Sequence, residues 1–230
     1  MKLLTVLTAS VLVAGLSPAP AQDFVSLFNG KDFSGWKTRS PDHRWVIENG
    51  VIDLKAPGDG KGNYAFMLFT ERTYGDFILN LEFKVPDDVP ANSGVFLRTS
   101  DLMDPVQNAI EVNVTNYKPG GPLTRTSLGS LFDLAAPTQV PYKAAAWNRM
   151  VITCRGSGIA VALNGETVTD VDLDQWREAR KNPDGTPNKF RKPLKEFART
   201  GNIGLQDHGR IVSYRNIRIR LLPSVVSSGL

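Results

Sequence analysis

The strongest constraint on the fold is a two-residue alternation of apolar and polar side chains near the C-terminal end. Residues 202–206 are Asn-Ile-Gly-Leu-Gln, and residues 216–220 are Asn-Ile-Arg-Ile-Arg. This period gives each strand one buried and one open face. The stretch therefore predicts a hairpin of strand, tight turn and strand, with Gln206 and His208 on one face of the first strand. Gly204, on that same face, leaves room for another group to approach the backbone.

The same alternation recurs through the chain in short runs separated by glycine turns. Residues 45–54 predict a hairpin that turns on Asn49-Gly50. Further strands are predicted over residues 77–85, 92–98, 108–115, 128–134, 147–153, 159–163 and 166–171. This spacing is typical of a β-sandwich. The one predicted helix lies within residues 173–180, and the segment from there to Pro193 is predicted to be an exposed loop.

Residues 1–21 have the three parts of a secretory signal peptide. Lys2 supplies the positive charge, residues 3–16 are apolar but too short to span a bilayer, and an Ala-Pro-Ala triplet ends at Ala21. We expect cleavage after Ala21 and export to a periplasm or to the outside of the cell. No cysteine stands at the cleavage point, so we expect no membrane anchor after cleavage.

The remaining chain has the length of one all-β domain, assigned to residues 22–222, followed by a C-terminal tail at 223–230. Removal of the signal lysine changes Lys+Arg minus Asp+Glu from 27 − 23 = +4 to 26 − 23 = +3. This charge is too small to indicate binding to nucleic acid. The single cysteine, Cys154, lies in a strand-like run and is predicted to be a buried thiol.

Polar side chains stand two residues apart on one face of two predicted strands. Glu111 and Asn113 lie opposite the apolar face of their strand, and Gln206 and His208 form a second pair of this kind. Such residues either serve one ligand or simply face the solvent, as they do in many antiparallel sheets. The alternation by itself leaves both interpretations open.

Seven blocks of the chain resemble, in order, the 3-keto-disaccharide hydrolase domain family. They span nearly all of the chain after the signal peptide and lie at residues 27–36, 74–77 with 82–83, 92–98, 111–112, 147–148, 163–165, and 203–209 with 215–217. The resemblance implies an all-β, concanavalin-like jelly roll of two curved antiparallel sheets. It also implies a carbohydrate site on the concave face.

The resemblance implies an enzyme that cleaves glycosides already oxidised to a ketone at sugar carbon 3. The ketone acidifies the hydrogen on C2, a base removes it, the enolate collapses and the C1 substituent leaves. Water then adds to the enone, so that the net reaction is hydrolysis. Such chemistry needs a base, an oxyanion stabiliser and an acid. The alternative is a non-catalytic, lectin-like carbohydrate-binding module, because a jelly roll alone does not determine function.

For these roles the resemblance points to three residues of this chain. Glu111 and His208 are the candidates for the base and the acid, and the choice between them is open. Arg98 is the candidate cation for the enolate oxygen. Glu111 and His208 are also candidate ligands for a divalent cation such as calcium. Four further residues are predicted to bind the carbohydrate substrate: Asn92, Asn113, Gln206 and Asp207.

Two positions depart from the pattern of the family that the chain resembles. Asn113 stands where the family often has a glutamine, and Phe132 stands where it often has a tyrosine. The first change shortens a side chain by one methylene, and the second removes a hydroxyl. Both bear on which substrate is chosen, or on whether the site binds sugar without cleaving it.

Overall fold

Two antiparallel β-sheets packed face to face form the domain. The computed structural model describes residues 23–38, 44–54 and 67–223, so the predicted signal peptide and all of the predicted tail except Pro223 lie outside the described residues. Thirteen strands occur in the described part: β1 Val25–Ser26, β2 Trp36–Thr38, β3 Trp45–Glu48, β4 Val51–Leu54, β5 Leu68–Tyr74, β6 Phe77–Lys84, β7 Asn92–Thr99, β8 Ile110–Thr115, β9 Asn148–Arg155, β10 Gly158–Leu163, β11 Glu166–Asp172, β12 Gly201–Leu205 and β13 Val212–Leu221.

The larger sheet has eight strands and the smaller sheet has five. The larger sheet runs in the order β11-β10-β9-β6-β13-β4-β3, with β1 also paired to β13, and the smaller one runs β2-β5-β12-β7-β8. All of these pairs are antiparallel. Both sheets contribute apolar side chains to one shared core, among them Leu81, Val95 and Leu205. The predicted all-β jelly-roll sandwich is confirmed.

Alternation along the strands accounts for this core. Every second residue of β6 is buried, and the residues between them, Ile78, Asn80, Glu82 and Lys84, are only partly buried. In the β3–β4 hairpin, Asn49 (φ 51°) and Gly50 (φ 76°) both adopt positive φ angles. A tight two-residue hairpin turn requires such angles, and asparagine and glycine adopt them at low cost. The sequence prediction of this hairpin is confirmed.

The predicted hairpin between residues 202 and 220 is wrong. Strand β12 lies in the five-stranded sheet between β5 and β7, whereas β13 lies in the eight-stranded sheet beside β4 and β6. The chain therefore crosses from one sheet to the other at residues 206–211. Both strands bury their isoleucines in the same core from opposite sides, and alternation alone cannot distinguish this arrangement from direct pairing.

Two smaller predictions also differ from the structure. The expected strand at 128–134 is a series of turns with single bridges from Leu131, because Gly129 (φ 79°) and Asp133 (φ 67°) interrupt extended backbone. The expected helix at 173–180 is reduced to a 3-10 turn at Leu173–Gln175. The other short helical elements are α1 Pro105–Asn108 and a 3-10 turn at Leu194–Glu196. No helix in the described ranges is long and apolar enough to cross a membrane.

The Arg98 side chain connects β7 to turns of the larger sheet through hydrogen bonds and an ion pair. Its guanidinium donates to the carbonyl oxygens of Gly75 (2.8 Å) and Gly156 (2.6 Å). A third nitrogen donates to Asp76 Oδ1 at 2.9 Å. The side chain is 4% exposed. The prediction that Arg98 faces the substrate is therefore wrong, since its guanidinium is occupied by this connection at one end of the sandwich.

Replacement of Arg98 by methionine is expected to lower the free energy of unfolding by about 3 kcal/mol, because it removes the ion-pair partner of the largely buried Asp76 carboxylate and a hydrogen-bond donor from two carbonyl groups. Urea denaturation measures the loss. The matched control is Arg191→Met, at an arginine whose side chain is 69% exposed, and its effect should stay within about 0.5 kcal/mol. Equal losses in the two variants would contradict a structural role for Arg98.

Candidate active site

The outer face of the five-stranded sheet carries three successive rows of side chains. The first row runs from Phe69 across Gly204 and Phe96 to Glu111. The Phe69 ring occupies the space over Gly204, where a β-carbon would come within 2.7 Å of it. The open position predicted at Gly204 is therefore filled by a neighbouring side chain and is not available to a ligand.

In the second row the backbone amide of Gln206 donates to the Gly94 carbonyl oxygen at 2.9 Å. Gly94 in turn pairs with Asn113 on the next strand. Asn92 and Thr115 pair in the third row. The structure therefore brings together four of the predicted residues, on three neighbouring strands or at their ends: Glu111, Asn113, Gln206 and Asn92.

Glu111 lies in a notch that Gly94 provides. A β-carbon on Gly94 would come within 2.8 Å of Glu111 Cγ and Oε1, so any larger residue there would displace the carboxylate. Glu111 is only 5% exposed even though it stands on the outer face of a sheet. The prediction that it lies opposite the apolar face of β8 is confirmed. Glu111 therefore does not face open solvent, because the segment that carries Lys189 packs against it.

The principal partner of Glu111 is Lys189, which the sequence did not suggest. Lys189 Nζ lies 3.5 Å from Glu111 Oε2. The ammonium also stands over the rings of Phe132 and Phe190, at 4.5 and 5.3 Å from their centroids, and the lysine side chain is 21% exposed. Two aromatic faces and one carboxylate therefore surround this cation.

The loop that presents Lys189 is held by its own buried amides. Asn182 Oδ1 accepts from Trp176 Nε1 at 2.7 Å, and its Nδ2 donates to the carbonyl oxygen of Asp133 at 3.2 Å. The Lys189 amide donates to Asp133 Oδ2 at 2.6 Å. The prediction of an exposed loop is correct for residues 181, 183–185, 187 and 191 but wrong for residues 182, 188 and 190, which are buried. The one feature of the sequence that could have indicated burial of this loop is the apolar Phe190 within a basic segment.

Burial raises the pKa of the Glu111 carboxyl above its ordinary value. Lys189, His208 and a hydrogen bond from Gln206 act in the opposite direction and lower it. The net effect is a carboxyl group that binds a proton more tightly than an exposed glutamate does. A carboxylate of this kind is a stronger base, which suits proton abstraction near neutral pH.

Two amide oxygens near Glu111 have no donor among the described residues. Asn113 Nδ2 donates to the carbonyl oxygen of Thr126 at 2.5 Å, which leaves Asn113 Oδ1 without a hydrogen bond. Gln206 Oε1 is in the same condition. Both side chains are buried, at 3% and 2% exposure. Buried acceptors without donors are costly, so both oxygens call for a donor that the described residues do not supply, such as a water molecule or a ligand hydroxyl.

A cleft of about 280 Å³ opens beside these groups. Asn92, Asn113, Phe132 and His208 all contribute to its wall, and Arg210 lies on its exposed side. His208 is half-buried there. The structure therefore places His208, Asn92 and Asn113 on one cleft, with both positions that depart from the family pattern, 113 and 132, in its lining.

Asp207 does not reach this cleft, and its predicted contact with the substrate is wrong. It is fully buried, with Oδ2 lying 2.9 Å from Arg44 Nε and Oδ1 accepting from the Gly209 amide at 2.8 Å. Burial raises the pKa of its carboxyl, and Gly209 and Arg44 oppose that shift. Asp207 points away from the cleft, as the strand alternation requires, and fixes the turn that carries Gln206 and His208.

The predicted calcium site at Glu111 and His208 does not fit this arrangement. No group of three or more His, Cys, Asp or Glu side chains that could hold a metal occurs in the described ranges. The Lys189 ammonium also occupies the side of Glu111 where a cation would bind. Calcium prefers six to eight oxygen ligands, and these residues do not supply them.

Known proteins are similar to this chain in both sequence and architecture. Residues 23–220 match the 3-keto-alpha-glucoside-1,2-lyase-like domain family. A 3-keto-disaccharide hydrolase from Bacteroides thetaiotaomicron is 27% identical over 239 residues, which cover 89% of this chain and 80% of that protein.

Solved structures agree with this similarity. A candidate glycosyl hydrolase from Parabacteroides distasonis superposes with a TM-score of 0.73 and 31% identity, covering 87% of this chain and all of that one. The β-glucanase of Bacillus licheniformis, at 10% identity, a TM-score of 0.51, and coverage of 88% of this chain and 99% of that one, shares the fold alone. Because the family match extends over nearly all of the described residues, the chain belongs to the 3-keto-alpha-glucoside-1,2-lyase-like domain family.

Proposed function

We propose that this protein cleaves 3-keto-glycosides, with 3-keto-disaccharides as the substrate class, and that Glu111 removes the proton from sugar carbon 2. The observation that carries the proposal is a carboxylate that is 5% exposed and in contact with an ammonium group, two residues before Asn113, which lines the cleft and has a donor-free amide oxygen. The family match and the name of the Bacteroides thetaiotaomicron relative support the choice of substrate.

The reaction begins at the C2–H bond. Glu111 takes the proton, the bonding electrons form the C2=C3 double bond, and the ketone oxygen becomes an enolate oxygen. The enolate then re-forms the ketone, a C1=C2 double bond appears, and the C1–O bond breaks. Addition of water across C1=C2 returns the proton to C2 and places a hydroxyl on C1. The sum of these steps is hydrolysis, and release before water addition is elimination.

The other cleft residues have roles that follow from their atoms. Asn113 Oδ1 and Gln206 Oε1 accept hydrogen bonds from sugar hydroxyls, and Asn92 contributes a further amide at the cleft wall. His208, in the same wall, donates the proton that the departing glycosidic oxygen needs, since an imidazolium nitrogen can act as a general acid. We assign the base to Glu111 because it is the more deeply buried of the two groups.

We also propose that the protein is exported to the periplasm or secreted, since residues 1–21 have the composition of a signal peptide. Expression of the full chain in a bacterial host with fractionation should yield a protein that begins at Gln22, as measured by intact mass. An Ala21→Asp variant should accumulate uncut, because cleavage requires small residues. An uncut wild-type chain retained in the cytoplasm would contradict export.

Turnover of a chromogenic 3-keto-glucoside and of its unoxidised parent tests the reaction. We expect release from the keto compound only, with kcat lowered about 10²–10⁴-fold in Glu111→Gln and His208→Ala. Glu166→Gln, at an exposed glutamate of β11, is the matched control and should retain full activity. Sugar binding by calorimetry without release from either compound would instead favour the lectin-like module.

The pH dependence of kcat provides a separate test of the base. Because burial raises the pKa of Glu111 and the base acts as a carboxylate, activity should be lost as pH falls through that raised pKa. The acid limb of the pH profile of kcat should therefore have its midpoint above the ordinary pKa of glutamate. This limb should be absent from the residual activity of Glu111→Gln. A limb that is unchanged in Glu111→Gln would exclude Glu111 as its origin.

A further inference from the structure

We propose that Lys189 is the oxyanion-stabilising residue of this site, with its Nζ donating a hydrogen bond to the ketone oxygen at C3 as the enolate forms. The inference rests on the proposed function and adds to it the cation that the chemistry needs. The sequence pointed to Arg98 for this role, but the Arg98 guanidinium is bound to Gly75, Gly156 and Asp76.

The position of Lys189 relative to Glu111 matches the atoms that react. The proton leaves C2 while negative charge appears on the oxygen of the adjacent carbon, so base and stabiliser must stand side by side. Lys189 Nζ and Glu111 Oε2 are 3.5 Å apart. A ketone oxygen that enters next to this pair can accept from the ammonium while its neighbouring C2–H bond points at the carboxylate.

The surroundings of Lys189 strengthen the electrostatic effect of its ammonium group on neighbouring atoms. Phe132 and Phe190 lie under the ammonium at 4.5 and 5.3 Å, and they exclude water from those sides without supplying an acceptor. A cation with few water contacts interacts more strongly with charge that develops beside it. The backbone of Lys189 is also anchored, through its amide and Asp133 Oδ2, so little reorganisation is needed during the reaction.

The other cations near the cleft are less suited to this role. Arg210 lies at its exposed side, where water screens its charge. His208 is needed as the acid for the leaving oxygen, and it stands in the cleft wall with Asn92 and Asn113. Among the described residues, Lys189 is the cation for which the structure gives an ion pair with Glu111.

In the step itself, the C2–H bond breaks and the proton moves to Glu111. The electron pair forms C2=C3, and the π electrons of the ketone move to its oxygen. Lys189 donates a hydrogen bond to that oxygen and keeps its proton. When the C1–O bond breaks, the same electrons return to re-form the ketone, so Lys189 ends the cycle unchanged and no further reactant is required.

The test is kcat of Lys189→Met on the chromogenic 3-keto-glucoside, measured on the pH plateau above the acid limb. Loss of one oxyanion donor should lower kcat about 10²–10³-fold. Lys195→Met, an exposed lysine six residues along the same segment, is the matched control and should be unchanged. A residue that only tuned the pKa of Glu111 would move the acid limb and leave the plateau in place.

A second variant keeps the test decisive if Lys189→Met folds poorly. Lys189→Cys can be alkylated to an aminoethyl cysteine, which restores an ammonium, and the native Cys154 is fully buried and shielded from the reagent. Recovery of at least about tenfold in kcat supports the proposal, and absence of recovery in a protein with native urea denaturation overturns it.

The two levels of the proposal fail in different ways. If the wild type keeps its preference for the keto compound and Lys189→Met keeps plateau kcat within about threefold, the role of Lys189 is wrong and the proposed function stands. If the wild type releases product equally from the keto compound and its parent, both are wrong.

Discussion

A buried carboxylate on the outer face of a sheet is the constraint on which the site depends. Removing the charge of Glu111 from water is costly unless nearby groups compensate for it. The compensation comes from Lys189 and from the side-chain hydrogen bond of Gln206, and the missing side chain of Gly94 provides the space for the carboxylate. Lys189 belongs to a loop that is held by buried side-chain amides. This distant segment packs over the polar face of the sheet and encloses the candidate site.

The strand end that carries Gln206 and His208 is held from inside the sandwich. Ser93 Oγ donates to the Gln206 carbonyl oxygen at 2.7 Å and lies 2.8 Å from the hydroxyl of Tyr214 in the opposite sheet. The Asp207–Arg44 ion pair holds the next residue. Buried polar contacts therefore fix the backbone on the core side, while the acceptors on the cleft side are left for a ligand.

Much of the site could be predicted from local pattern, and its failures have specific causes. Alternation in β8 correctly put Glu111 and Asn113 on one face, because side-chain direction in a strand depends only on position. The same logic failed for Arg98, whose positive φ of 51° breaks the regular alternation. It also could not find Lys189, which lies 78 residues from Glu111 in the chain and contacts it through a loop without periodicity.

The sequence alone therefore determined most of the strands and the apolar face of each, because both follow from short-range spacing. It also carried the family resemblance that led to a keto-sugar reaction. Only the tertiary structure decided that β12 and β13 lie in different sheets, that Glu111 is buried, and that a lysine stands beside it. Those features depend on contacts between distant segments, and no local period specifies which distant segment fills a given space.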